Sequence, residues 1–172
     1  MGEIIKTEVQ SAQQELLNIT GKKISEEYAF SHTLLKYYFD VDFSDQIGSV
    51  TDGPNDGGID FLYYDEEESK VILCQSKYCE SLSFNDVINE LNKMYSTVQN
   101  FKKANTGMYN DVLKLALQNA KDRLPEDNDD NYEYRIYTTA PIDINGALKK
   151  IENSTHDFPT CLLYTSPSPR DA

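Results

Sequence analysis

Asp60, Gln75 and Lys77 are the residues of this chain whose types and spacing could do chemistry. They fall inside one stretch, GPNDGGIDFLYYDEEESKVILCQSKY, residues 53–78. The stretch admits three readings: an ordinary acidic hairpin, a calcium loop, or a metal-and-lysine centre that works on phosphate esters. Residues 59–64 and 71–78 are rich in β-branched and aromatic side chains and flank the polar DEEESK, which predicts a hairpin. If Asp65 and Lys70 close it, antiparallel pairing sets Asp60 opposite Gln75, with Lys77 two residues along the same strand. Strand side chains alternate with period two, so Gln75 and Lys77 share a face that Asp60 can also reach. Gly57 and Gly58, just before Asp60, allow the close backbone approach that a bulky phosphate ligand requires.

Each residue alone has a plainer explanation. Asp56 and Asp60 beside glycines are suited to capping turns. Lys77 alone reads as a solvated strand lysine, paired at the rim with Glu80. Gln75 follows the apolar VILC, where burying an amide without partners costs on the order of 1–3 kcal/mol. Their joint occurrence in matched register favours a site. The calcium loop fails: Asp52, Asp56, Gly57, Ile59 and Asp60 match EF-hand positions, but Pro54 and Tyr63 interrupt the ligand set. The bidentate Glu is missing, and strand-forming residues follow where a helix is required.

The elements that must position these residues are legible from periodicity. EVQSAQQELLN and ISEEYAFSHTLLKYYF have helical spacing, so the first forty residues are expected to be helical. A short strand is expected around residues 47–50, then the hairpin. Ser83 and Asp86 make a capping box for a long helix carrying Val87, Leu91, Met94, Val98 and Phe101 on one face. MYNDVLKLALQNAKDRL predicts another helix ended by Pro125, and YEYRIYTT a last strand. The expected fold is α/β, in the order α-β-β-β-α-α-β. His32 and His156 are the two histidines, which excludes a His-rich metal site, and Cys74 and Cys79 supply neither a zinc ribbon nor a disulfide framework. The abundant tyrosines are expected as strand and core-edge residues ahead of base-stacking platforms.

GGID followed on the next strand by QSKY resembles the PD-(D/E)xK nuclease superfamily. Within it, NDGGID…CQSKY is similar to the abortive infection phage resistance (AIPR) family and, more distantly, to Mrr-type restriction endonucleases. The resemblance runs from the helix near Glu26 to the strand ending near Thr139. It implies a restriction-endonuclease-like mixed β-sheet flanked by helices, phosphodiester hydrolysis in nucleic acid, DNA first, and a role in phage defence. It further implies that Asp60 binds Mg²⁺ or Mn²⁺, that Gln75 takes the place of the usual acidic ligand, and that Lys77 is the active-site lysine. Mrr-like members share the glutamine, and Asp56, Glu26 or Glu27 would then complete the carboxylate set. Nucleic-acid contacts are expected at Gly57, Gly58 and Lys93, and a homodimer is an option. The alternative is an inactive module of the same fold that binds nucleic acid or a partner protein.

The remaining composition bounds these expectations. The 172 residues, 39% hydrophobic, suffice for one domain. Lys+Arg 16 against Asp+Glu 29 gives a net charge of −13, which opposes nonspecific attraction to phosphates. Much of that acid sits in PEDNDDNYE, whereas Lys93, Lys102 and Lys103 lie along one helix. No run is long enough to span a membrane and the N-terminus lacks signal-peptide order, so a cytoplasmic protein without membrane partners is expected. CLLYTSPSPRD reads in one frame as a translated transposase adapter of the kind used in sequencing libraries. Residues 1–160 are therefore expected to be a truncated nuclease-like domain, and residues 161–172 a non-native tail.

Overall fold

The computed structural model describes residues 3–153 and 161–165. Two helices come first, α1 (Glu3–Thr20) and α2 (Glu26–Phe39). The Ser25 hydroxyl accepts the Tyr28 N–H to start α2, and Asp40 ends it in the left-handed region at φ 53°. After a 3₁₀ turn at Phe43–Asp45 come β1 (Phe61–Asp65), β2 (Lys70–Lys77), α3 (Phe84–Lys102) and α4 (Asp111–Arg123). β3 (Tyr132–Thr138), α5 (Ile144–Glu152) and β4 (Cys161–Thr165) follow.

The sheet order is β1-β2-β3-β4. β1 and β2 form the antiparallel hairpin, closed by Asp65 opposite Lys70 as expected, while β2–β3 and β3–β4 are parallel. Parallel neighbours need a crossover, and α3 with α4 supplies the one between β2 and β3. The result is a mixed α/β architecture. β4 lies within the adapter-like segment.

Three features depart from expectation, the first being β4 itself, a strand beyond the last one expected. Residues 47–50 do not form a strand; Val50 alone bridges to Phe61. Gly48 takes φ 85° and Ile47 is 85% exposed, so the segment turns where a strand would extend. In addition, α5 is a helix outside the expected element order, although Ile144, Ala147, Leu148 and Ile151 repeat at helical spacing and pack on the core.

β2 is an inner strand covered on both faces. Val71 and Leu73 point into a core shared with Val87, Leu91 and Met94 of α3 and Leu113 of α4. Ile72 and Cys74 point into a second core with Val9 of α1 and Phe30 and Leu34 of α2. Each fully buried large apolar side chain contributes about 1.5–3 kcal/mol, so Leu73→Ala would cost about 2–5 kcal/mol and loosen α3 from the sheet. The alternation continues past the apolar residues: Gln75 and Lys77 follow Val71 and Leu73 onto the α3 face. Ser76 follows Ile72 and Cys74 onto the α2 face, where its hydroxyl lies 2.8 Å from Ser31 Oγ. The pleat thus turns an apolar stripe into a polar one where the strand leaves the core.

Candidate active site

The polar end of β2, the loop of residues 51–60 and one flank of α3 enclose an open cleft of about 900 Å³. Asp60 is at its base. The Asp60 N–H donates to the Cys74 carbonyl at 2.9 Å, continuing the hairpin one residue beyond β1 and holding Asp60 beside Gln75. Three donors converge on Asp60 Oδ2: Gln75 Nε2 at 2.6 Å, the Ser76 N–H at 2.7 Å and Ser76 Oγ at 2.9 Å. None of them reaches Oδ1. The side chain is 5% exposed, and this burial pushes its pKa up to about 7; the Ser76 N–H and hydroxyl oppose the shift, and Asp52 and Asp56 reinforce it.

Asp52, Asp56 and Asp60 each bring a carboxylate oxygen within 4.8 Å of the other two. Backbone bonding explains the convergence. The Thr51 and Asp52 N–H groups both donate to the Asp60 carbonyl, at 2.7 and 3.0 Å. Asp56 accepts from Gly58 N–H at 2.8 Å with Oδ1 and from Gly53 N–H at 3.3 Å with Oδ2. Asn110, which caps α4, donates through Nδ2 to the Thr51 and Pro54 carbonyls at 3.2 Å each, tying the loop to the helix layer. Burial raises the Asp52 pKa, with Asp56 and Glu27 adding to the rise and Lys77 opposing it.

Gly57 and Gly58 have φ of 65° and 79°. The space beside them is filled by α3: a methyl group on Gly57 would collide with Thr97, and one on Gly58 would lie 2.9 Å from Lys93 Cβ. The close approach that the glycines permit is therefore to a helix. Thr97 Oγ1 donates to the Gly57 carbonyl at 2.7 Å and sets the width of the cleft.

Gln75, 6% exposed, donates through Nε2 to Asp60 but leaves Oε1 buried with no partner. The donation fixes which way the amide points, because turning it would set two acceptors against each other. Among the described residues the buried side-chain polar atoms without a hydrogen bond are Gln75 Oε1, Tyr78 Oη and Asn92 Oδ1, and all three residues line this cleft. Buried polar atoms without a partner are costly in a native fold, and here three of them come together at one cleft.

Lys77 does not pair with Glu80. Its Nζ lies 2.9 Å from Glu90 Oε1 across the cleft, and Lys93 Nζ lies 3.2 Å from both Glu90 oxygens. Of the remaining residues singled out above, Asp56, Glu27 and Lys93 line the cleft and Glu26 does not. His32 is buried, paired with Gln46 at 2.5 Å, and burial lowers its pKa. His156 lies outside the described residues. The sequence pattern did not single out Glu90, Asn92 or Ser76, and it weighed Asp52 only within a calcium loop. Helical spacing alone could have placed Glu90 and Lys93 on one face of α3, but not opposite Lys77.

The donor set suits a hard divalent cation. Asp60 Oδ1, Gln75 Oε1 and the Asp52 and Asp56 carboxylates are all oxygens, the ligands that Mg²⁺, Mn²⁺ and Ca²⁺ prefer over thiolate or imidazole. The calcium-loop positions Asp52, Asp56 and Asp60 do come together, but β1 follows them where an EF-hand requires its exit helix. No helix among the described residues is long and apolar enough to cross a membrane. Compared with protein-family models, curated proteins and solved structures, the chain has no match.

Proposed function

We propose that this chain is a metal-dependent nuclease domain of the restriction-endonuclease type, hydrolysing phosphodiester bonds in nucleic acid, DNA first. The observation that carries the reading is the buried, unpartnered Gln75 Oε1 beside a three-carboxylate cluster and a lysine. The AIPR-like GGID and QSKY motifs support the same reading and add phage defence as the biological role. Asp60 Oδ1 and Gln75 Oε1 would hold the ion, with Asp52 and Asp56 adding negative charge. A bound divalent cation supplies Lewis acidity and lowers the pKa of water.

The protein's own groups do the rest. Ser76 and Gln75 fix the Asp60 carboxylate through Oδ2, leaving Oδ1 outside those bonds. Lys77 orients the attacking water and offsets charge developing on the phosphoryl oxygens. The burial of Asp60 makes ion binding compete with a proton near neutral pH.

The test is cleavage of supercoiled DNA, linear DNA and RNA with Mg²⁺ or Mn²⁺, beside EDTA and Lys77→Ala controls. Metal-dependent cutting that disappears in Lys77→Ala supports the nuclease and identifies its substrate; a folded protein that cuts none of them refutes it. One observation favours a second reading, a noncatalytic module that binds nucleic acid or a partner protein: both cationic groups of the cleft are already paired with Glu90 in a chain of net charge −13. Calorimetric titration with Mn²⁺ separates the two, since ion binding abolished by Asp60→Ala belongs to the nuclease and its absence in wild type to the module.

A further inference from the structure

We infer that Lys77 and Lys93 form a phosphate subsite and that the Glu90 carboxylate occupies it as a built-in competitor. This deepens the nuclease reading and rests on it for the identity of the substrate. Lys77 reaches Glu90 from the end of β2 at 2.9 Å, and Lys93 pairs with it at 3.2 Å from one turn further along the same helix, α3. The Glu90 side chain is 12% exposed, against 29% for Lys77 and 60% for Lys93. An anion held inside a pair of lysines, with the lysines nearer the solvent, takes the position that two nonbridging phosphate oxygens would take.

The charge balance of the cleft gives this arrangement a consequence. Among the described residues, Glu27, Asp52, Asp56, Asp60 and Glu90 line it against Lys77 and Lys93. A polyanion therefore meets net negative potential and two lysines already paired. Charge supplied by a divalent cation at the Asp60 end offsets most of that disadvantage, and a phosphate can then displace Glu90. Glu90 thereby makes nucleic-acid binding conditional on the ion. It is also a positioning residue, because its pairing holds the Lys77 ammonium at one place across the cleft before substrate arrives.

The experiment compares wild type, Glu90→Gln and Glu90→Gln/Lys93→Gln. Fluorescence anisotropy follows a short labelled DNA, single-stranded and duplex, in EDTA and across a salt series; cleavage with Mg²⁺ is measured in parallel. Glu90→Gln is expected to tighten binding in EDTA by roughly tenfold, the worth of about one charge-assisted contact. It should also steepen the salt dependence by about one phosphate contact. The double variant is expected to return to the wild-type affinity. In cleavage, KM is expected to fall together with kcat, since the lysines are freed but Lys77 loses its fixed position. A merely structural role for Glu90 would lower thermal stability without tightening binding, so melting curves accompany each variant, and Glu90→Ala repeats the test without an amide.

Unchanged affinity and salt slope in both folded single variants would overturn the subsite. If Glu90→Gln tightens binding while no protein cuts DNA, the subsite stands and the nuclease reading fails. If wild type cuts and Glu90→Gln binds no tighter, the nuclease stands and the subsite fails.

Discussion

Among the described residues two glutamine amides are buried, in different regions, and they are satisfied differently. Gln46, 1% exposed, follows the 3₁₀ turn behind α2. Its Nε2 donates to the His32 carbonyl at 3.1 Å and the Val41 carbonyl at 2.8 Å, and its Oε1 pairs with His32 Nδ1 at 2.5 Å. Because the amide N–H groups are committed to carbonyls, His32 must donate from Nδ1. Gln75, 6% exposed, has only its donor end paired. The first amide fastens a turn to a helix, whereas the second keeps an acceptor ready in a cleft. Burial alone therefore does not distinguish the two amides; the completeness of their hydrogen bonding does.

The largest expected effect that sharpens this contrast is on the cleft side. Lys77→Ala should reduce phosphodiester cleavage by at least about 10²–10³-fold while leaving the thermal midpoint close to wild type. Unaltered single-turnover rates would remove Lys77 from the chemistry. Next come the two amides themselves. Gln46→Leu strands His32 Nδ1 and two carbonyls and should cost about 2–4 kcal/mol by urea unfolding. Gln75→Leu should cost less than about 1 kcal/mol in the metal-free protein, because Ser76 still supplies two donors to Asp60. If the cleft holds the proposed ion, Mn²⁺ should raise the melting temperature of wild type and not that of Gln75→Leu. Equal losses in the two variants would break the comparison.

A smaller effect follows from Asp60. Its folded pKa of about 7 lies above the ordinary carboxyl value of 3.8, so between those values the folded state holds a proton that the unfolded state has lost. The contribution to stability is present below about pH 4, is lost as pH rises through 7, and amounts to at most a few kcal/mol. Melts from pH 4 to 8 should show this decline in the metal-free protein and not in Asp60→Asn. Below neutrality, Mn²⁺ affinity should weaken by up to about tenfold per pH unit as one proton competes with the ion. The smallest effect is a surface reference. Lys114→Ala breaks a 2.7 Å pair with Asp111, whose side chain is 97% exposed, and should leave the urea midpoint unchanged.

The chain order by itself determined the hairpin and its register. Asp65 and Lys70 close the turn, and period-two alternation then carries Gln75 and Lys77 to one face and brings Asp60 beside Gln75. The capping box at Ser83 and the apolar row of α3 were legible for the same reason, since both are local and periodic. Tertiary structure alone decided the rest of the cleft. The approach of α3 to Gly57 and Gly58 sets Glu90 against Lys77, and the backbone bonds of residues 51 and 52 to Asp60 draw Asp52 into the cluster. It also decided that residues 47–50 turn away, leaving Ile47 exposed and only Val50 bridged. These outcomes depend on which distant surfaces bury one another, and that depends on the packing of two layers against one strand, which no short window of sequence contains.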